Sequence, residues 1–312
     1  MNFGVFCPCT HEDFAGFIEN DWINCFLFDT IIKEWDRREI FDRIKEKNKT
    51  FFMGFYSDLF EREPQPIVDV GETADIARSF LKPDWKEKIA QYRELFDSEA
   101  GHRFYDAFEG FYIDEPFLCG IRGRDFLTVT RELAENFPGK RIFSCFSVGG
   151  VAPDIWTTQG CDELTPESAR YLTDVAFDMY HPFDGRYAYI TDCMKKRMGA
   201  REDYRIWQIP CIMNYRGDKT EKHCLDHLHG LYDLLMKEPP EKRGGLICYA
   251  WWVSKNETVQ LGNVGFSGLQ GRHPGDSDWQ TLKSEIERIG RECVSASPAG
   301  AAKKENAAIL LQ

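Results

Sequence analysis

Residues Gly110-Phe111-Tyr112-Ile113-Asp114-Glu115-Pro116 form an apolar run that ends in two adjacent carboxylates and a proline. A buried strand accommodates Phe111, Tyr112 and Ile113. It does not accommodate Asp114 and Glu115, because unpaired charge is costly to bury. The acids therefore belong at the strand's exit, and Pro116, with no N–H to donate, ends the ladder there. A strand that ends in charge points to a site built on its C-terminal end. Adjacent strand residues face opposite sides of a sheet. Asp114 then shares a face with Tyr112, and Glu115 joins it in one pocket only if the backbone loosens at Glu115.

Seven further runs of the same kind lie on either side. With Glu109–Asp114, the strand candidates are Asn2–Cys7, Asn24–Asp29, Thr50–Tyr56, Arg141–Phe146, Asp174–Tyr180, Tyr204–Pro210 and Gly245–Trp251. All are short, aromatic or β-branched, and nearly continuous in apolarity, which marks strands buried on both faces, as in parallel sheets. The segments between them read as helices. Ile32–Lys47 spaces Ile32, Trp35, Ile40, Phe41 and Ile44 at roughly helical intervals, and Lys82–Phe96 is amphipathic. Arg124–Phe137 is ended by Pro138-Gly139, and Lys219–Met236 by Pro239-Pro240. Thr165-Pro166-Glu167-Ser168 reads as a helix start, and Asp276–Cys293 closes the ordered chain.

Eight strand–helix units within the 312 residues fit a (β/α)8 TIM barrel, an α/β fold of about 250 residues plus insertions. A doubly wound sheet is the alternative, but its Gly-x-Gly-x-x-Gly turn is missing after the first strand, where the chain reads Cys7-Pro8-Cys9-Thr10. No linker interrupts the pattern, so residues 1–294 are expected to form a single barrel. The tail 295–312, small and polar at first, is expected to be disordered.

In such a barrel, chemistry collects at the C-terminal ends of the strands. The second strand ends in Asp29, and the third in Tyr56 with Asp58 just after. The fourth ends in Asp114 and Glu115, the fifth in Ser147-Val148-Gly149-Gly150. The sixth ends Asp178-Met179-Tyr180-His181, with Asp184 beyond. The seventh carries Gln208, then Asn214 and Tyr215, and the eighth ends Tyr249-Ala250-Trp251-Trp252. A single aromatic residue in such a place is usually core. Several at one end, beside carboxylates, describe a carbohydrate site: aromatic faces stack on the C–H face of a sugar ring, and acids and amides bond its hydroxyls. Two carboxyl groups flanking a glycosidic bond supply the acid and the nucleophile or base.

On these residues the chain resembles the TIM-barrel glycoside hydrolases, in particular those with an Asp-Glu pair at the end of strand four, as in the hexosaminidase-type and N-acetylgalactosaminidase-type families. The resemblance rests on the strand-four motif and the strand layout. It implies that Glu115 is the general acid/base and that Asp114 orients a 2-acetamido group acting as the nucleophile. It also implies that a tyrosine and a tryptophan complete the pocket, for which Tyr180 or Tyr215 and Trp251 or Trp252 are the candidates. Many retaining barrels carry a second Glu on strand seven. Here that strand ends Trp207-Gln208-Ile209-Pro210, with no carboxylate, so Asp178 is the candidate for a second acid. Asp29, Tyr56 and Gln208 would shape the sugar subsite. Two other classes remain open: a barrel that binds glycans without cleaving them, and a lyase or isomerase using Glu115 as base.

The bulk composition is consistent with this. With 39 basic and 51 acidic residues the formal charge is −12, a surface that repels nucleic-acid phosphates and anionic membranes. It suits a neutral or cationic ligand, although acidity also serves solubility. Of eleven cysteines, Cys25, Cys145, Cys211 and Cys248 lie in apolar runs, where free Cys behaves as a small hydrophobe. Cys7-Pro8-Cys9 is too tight for a zinc knuckle. No signal-peptide pattern and no bilayer-length apolar run is seen, and the expectation is a reduced, cytoplasmic protein whose Asn48 and Asn256 sequons carry no sugar. His223 and His227, one turn apart, lack the Glu of a His-Glu-x-x-His motif and read as a partly exposed polar helix face. Gly149-Gly150 and Gly244-Gly245 read as turns and connections, not phosphate cradles. No metal or other cofactor is expected, and the expected partner is a carbohydrate.

Overall fold

The computed structural model describes residues 1–6, 14–63, 78–157, 160–213, 219–249 and 279–296. Its strands are β1 (Asn2–Val5), β2 (Cys25–Thr30), β3 (Thr50–Gly54), β4 (Phe60–Arg62), β5 (Ser79–Leu81), β6 (Phe108–Asp114), β7 (Arg141–Ser147), β8 (Asp174–Asp178), β9 (Arg205–Gln208) and β10 (Arg243–Cys248). Eight of them form one sheet in the order β1-β10-β9-β8-β7-β6-β3-β2, every neighbouring pair parallel. Asn24 latches the seam between β1 and β2: its Oδ1 accepts the Phe3 N–H at 2.8 Å and its own N–H donates to the Phe3 carbonyl at 3.0 Å. The result is a (β/α)8 barrel, as the recurring apolar runs imply, with each strand within a few residues of its expected span. The remaining two strands, β4 and β5, pair antiparallel after β3, beyond the eight strands expected from the apolar runs.

Two hydrophobic layers follow from the period-2 alternation of the strands. One set of residues faces inward, where Cys25, Phe52, Phe143, Cys145, Ala176, Trp207, Ile209 and Ile247 fill the barrel. Trp207 is stacked on Phe143 at 4.8 Å between ring centres, and a Cβ on Gly244 would come within 2.2 Å of its indole nitrogen. The other set faces the helices, in a phenylalanine-rich shell that includes Phe28, Phe41, Phe51, Phe96, Phe104 and Phe108. Burying large rings on both faces is what stabilises strands of four to seven residues.

Helices Trp85–Asp97, Gly123–Asn136, Glu221–Met236 and Gln280–Ser295 match their amphipathic segments. Two expectations need correction. The segment 32–47 is not one helix but a turn Ile31–Glu34, a 3-10 turn Trp35–Arg37 and a helix Glu39–Glu46. Buried Phe41 lies six residues after Trp35, a gap that no single helical stripe spans, and the 3-10 turn re-phases the chain. Trp35 meanwhile packs edge-on to Phe96 and Phe104. The start signal at Thr165 yields only a turn. Thr165 and Ser168 do bond one another's backbone N–H groups, at 3.1 and 3.0 Å, but β8 follows within six residues. Arg197 and Arg201 then take up the loop carbonyls of Leu164, Ala169 and Arg170, each at 2.8 Å.

The lower, N-terminal end of the barrel is closed by a buried acid. Asp174 is 0% exposed and accepts from Trp207 Nε1 at 2.6 Å, Arg141 Nε at 2.5 Å, Arg205 Nε at 3.2 Å and Thr173 Oγ1 at 2.8 Å. Removing one partner of such a network leaves the others with uncompensated charge. Asp174→Ala is therefore expected to lower the unfolding free energy by about 3 kcal/mol, read from urea denaturation. A loss under about 0.5 kcal/mol, the range of an ordinary surface change, would refute that role.

Candidate active site

At the upper end of the barrel three carboxyl groups come together from two strand exits. Asp114 is the last residue of β6 and lies in register with Cys145 of β7, while Asp178 ends β8 in register with Ser147. The intervening β7 sets them one strand apart on either side. Inward alternation places Tyr112 and Asp114 on the barrel side of β6, and Asp178 on that of β8.

Glu115 joins them by leaving the ladder. Its backbone has φ +39°, in the left-handed region, and only one other non-glycine among the described residues, Asn48, has a positive φ. The residue before a proline is normally extended, so the conformation at Glu115 is costly and is held by its surroundings. Its N–H donates to the Cys145 carbonyl at 2.8 Å, and its carbonyl accepts the Cys119 N–H at 2.8 Å. Both members of the acidic doublet thereby face one pocket.

The electrostatics follow from burial without cations. Burial first, then the charges of Asp178 and Asp114, then a hydrogen bond with Asp178, hold the Glu115 carboxyl well above the usual carboxylate range. Asp178 is pushed up to about 7 by burial and the charge of Asp114, against hydrogen bonds from Tyr180 and Glu115. The Asp114 side chain is exposed at the strand's end, with protein atoms packed around its carboxyl. Burial raises it, while hydrogen bonds from Tyr112 and the Cys145 thiol oppose the rise. Like charges this close titrate as a set, with the first proton held on the Glu115–Asp178 pair. Ser147 Oγ and Asp178 Oδ1 are both buried without a hydrogen-bond partner.

The other sequence candidates lie around this cluster at different distances from its chemistry. Tyr180 bonds Asp178 and stacks on Tyr249, 5.6 Å between ring centres and 11° from parallel. Asp29 is exposed at the end of β2, paired with Lys33 and 3.4 Å from Ser57 Oγ. Tyr56 is half-buried, its hydroxyl 2.8 Å from Ser79 Oγ and its ring stacked on Phe60 of the β4–β5 pair. Asp58 accepts from the Tyr92 hydroxyl at 2.7 Å, and Asp184 pairs with Arg186. Gln208 is 1% exposed. It alternates with the inward-facing Trp207 and Ile209, which sets it on the helix side of the wall, and both of its amide atoms lack a partner. Asn214, Tyr215, Trp251 and Trp252 lie outside the described residues.

Two residues of the site were not singled out from the sequence. Cys145 looked like core filler, and only its register opposite Asp114 brings its thiol to a carboxylate. Tyr112 looked like part of an apolar strand. The histidine pair also differs from expectation, because His227 is fully buried. Its Nδ1 accepts the Cys211 N–H at 3.0 Å, and its Nε2 lies 3.0 Å from the Met179 carbonyl and 2.8 Å from the Tyr187 hydroxyl. It falls on the buried stripe of its helix with Cys224, Leu228 and Leu231. Burial pushes it down to about 3, so it is a neutral tie between the exits of β8 and β9. Among the described residues no group of three or more His, Cys, Asp or Glu side chains is arranged to hold a metal ion, no cysteine is paired, and no helix is long and apolar enough to cross a membrane.

No family model and no curated protein matches the chain. Solved structures of like fold do. One is GH5_18 from Streptomyces cattleya in complex with GlcNAc, at TM-score 0.54 and 11% identity over 93% of this chain and 80% of that one. Another is a provisional α-L-fucosidase from Bacteroides thetaiotaomicron, at TM-score 0.53 and 11% identity over 93% and 92%. A third is a cold-adapted β-galactosidase from Rahnella sp. R3, at TM-score 0.56 and 13% identity, where 96% of this chain spans 57% of the enzyme. At such identities the likeness is one of fold: this backbone is arranged as in TIM-barrel glycoside hydrolases.

The raised pKa of Asp178 has a consequence for stability. In the unfolded chain an aspartate titrates near 3.9, roughly. In the folded protein Asp178 holds its proton up to about 7. The native state therefore binds more protons across that interval, and stability falls as pH rises through it. Asp178→Asn is expected to remove this fall. Urea unfolding at about pH 5 and about pH 7 should show a smaller pH dependence in the variant than in the wild type. Equal slopes in the two proteins would show that Asp178 carries no such proton.

Proposed function

We propose that the protein is a glycoside hydrolase acting on a neutral or N-acetylated sugar, with Glu115 as general acid/base and Asp114 or Asp178 as its partner. The observation that carries this reading is the three-carboxyl cluster at the barrel mouth, in which burial and two acidic neighbours hold the Glu115 carboxyl well above the usual carboxylate range. A general acid must hold its proton at the working pH and release it to the leaving oxygen.

Between the two partners the geometry favours Asp114 for the substrate-facing role. Asp178 is hydrogen-bonded to Glu115. A direct bond leaves no room for a sugar ring between those carboxyl groups, whereas acid and nucleophile in double displacement stand about 5–5.5 Å apart. Asp178 is better suited to holding the Glu115 proton. Asp114, supported from beneath by Tyr112 and Cys145, is free to orient a 2-acetamido group that attacks its own anomeric carbon. GlcNAc bound in the Streptomyces structure of like fold agrees with an N-acetylated substrate. A lyase or isomerase with Glu115 as base fits less well, because burial and like charge favour the protonated carboxyl over the carboxylate a base requires.

A panel of aryl glycosides with and without a 2-acetamido group tests the reading. Glu115→Gln is expected to lower kcat by roughly 10²- to 10⁴-fold. Asp114→Asn is expected to lower the rate on the acetamido substrates selectively. Turnover that survives Glu115→Gln removes Glu115 from the mechanism, and sugar binding with no turnover in the wild type identifies a glycan-binding barrel.

A further inference from the structure

Large apolar side chains on the surface are few among the described residues, and two of them, Ile155 and Trp156, are adjacent in the chain, with a third, Tyr189, bonded to the neighbouring Asp154. Trp156 is 46% exposed, Ile155 beside it 36%, and Tyr189, whose hydroxyl donates to Asp154 at 2.5 Å, is 43% exposed. Trp156 and Ile155 belong to the connection from β7 to β8, on the same end of the barrel as the acid cluster. The Trp156 ring lies 5.8 Å from that of His181, tilted by 48°. His181 follows Tyr180, which bonds Asp178. The same connection runs on to Cys161, close enough to Glu115 to feel its charge.

The segment up to Thr157 carries its own bonds, and Tyr189 ties it to the following helix through Asp154. The Trp156 N–H donates to the Ala152 carbonyl at 3.3 Å, and Thr157 Oγ1 to the Pro153 carbonyl at 2.7 Å. Further along, Asp162 accepts from Arg122 at 2.7 Å and from the Gly123 N–H at 2.7 Å, which ties the loop to the connection after β6. The turn bonds at Ala152 and Pro153 and the Tyr189–Asp154 bond preorganise the indole, which lowers the entropy cost of using it.

We propose that Trp156 forms a second carbohydrate subsite, binding the sugar unit next to the one held at Glu115, so that the protein takes chains of sugars rather than single units. This deepens the glycosidase reading and rests on it. The occupant follows from the surroundings. A protein-docking surface or a membrane contact calls for a broad continuous apolar patch. Here one large ring stands among polar groups: Asp154, the Tyr189 hydroxyl and the exposed imidazole of His181. A pyranose has that complementary shape, an apolar C–H face bordered by hydroxyls. An indole with a wet edge suits an amphipathic ligand of this kind.

The test is binding, which separates it from catalysis. Calorimetric titration of the Glu115→Gln protein with GlcNAc and its β-1,4-linked dimer, trimer and tetramer, together with the corresponding N-acetylgalactosamine series, is expected to show affinity rising from monomer to dimer or trimer. Trp156→Ala in the same background is expected to cancel that rise, a loss of about five- to tenfold, with Trp156→Phe retaining part of it. An unchanged melting temperature in Trp156→Ala would show that the loss is not one of folding. Affinity independent of chain length in every series, or a rise that survives Trp156→Ala, overturns the proposal. The glycosidase reading fails by a different result, turnover that is absent or insensitive to Glu115→Gln.

Discussion

Two aspartates on one face of one strand set the character of the two ends of the barrel. Asp174 and Asp178 both point inward from β8, with Ala176 between them. A charge in that interior must be neutralised, because leaving it unpaired costs far more than the fold's net stability permits. At Asp174 the neutralisation is by cations and donors: two arginines, an indole and a hydroxyl. At Asp178 the acting neighbours are two more acids and the Tyr180 hydroxyl. The remaining remedy is a proton. The lower end is thus a fixed ionic closure and the upper end a protonatable one, which is the division between stability and chemistry expected of this fold.

The upper cluster requires the backbone to be bent out of its preferred range. If Glu115 continued β6 in extended form, its side chain would face the helices and the doublet would be split across the sheet. The left-handed turn at Glu115 prevents this, and the backbone bonds to Cys145 and Cys119 keep it in place. Strain and like-charge repulsion are therefore located at the same residue. Both oppose folding and are offset by the two aromatic layers elsewhere. A residue that is unfavourable for stability on two counts, yet held by specific bonds, is the kind of position at which function is to be sought.

Much of this was legible in the sequence. Apolar runs bounded by charge located all eight barrel strands, because a strand buried on both faces leaves a composition that hardly depends on context. The acids at the exits of β6 and β8 were legible for the same reason: they are where the run breaks. What was not legible depends on register and on rotation. Cys145 acquires its role only by lying opposite Asp114 in the ladder, and local sequence does not encode the register between two strands separated by a helix. His227 was misread because its stripe on the helix was judged by polarity rather than by the buried positions Cys224, Leu228 and Leu231 around it. Trp156 was passed over because a lone aromatic in a loop has no periodicity to give it a face. The broken helix at Trp35 shows the converse, a helical spacing that holds locally on either side of a gap it does not bridge.

In the proposed reaction the cluster's repulsion becomes useful. A proton on Glu115 keeps its charge from adding to the acidic cluster of Asp114 and Asp178. As that proton moves to the leaving oxygen, Glu115 becomes a carboxylate among acids, a state that burial and its neighbours oppose. At that moment the sugar acquires the positive charge of an oxocarbenium-like transition state. The negative charge exposed on the protein and the positive charge appearing on the substrate then compensate each other in a site with little water to screen them. The compensation is available only while the bond is breaking, not when the neutral substrate first binds. An interaction stronger in the transition state than in the bound ground state is the condition for acceleration, and the three acids satisfy it.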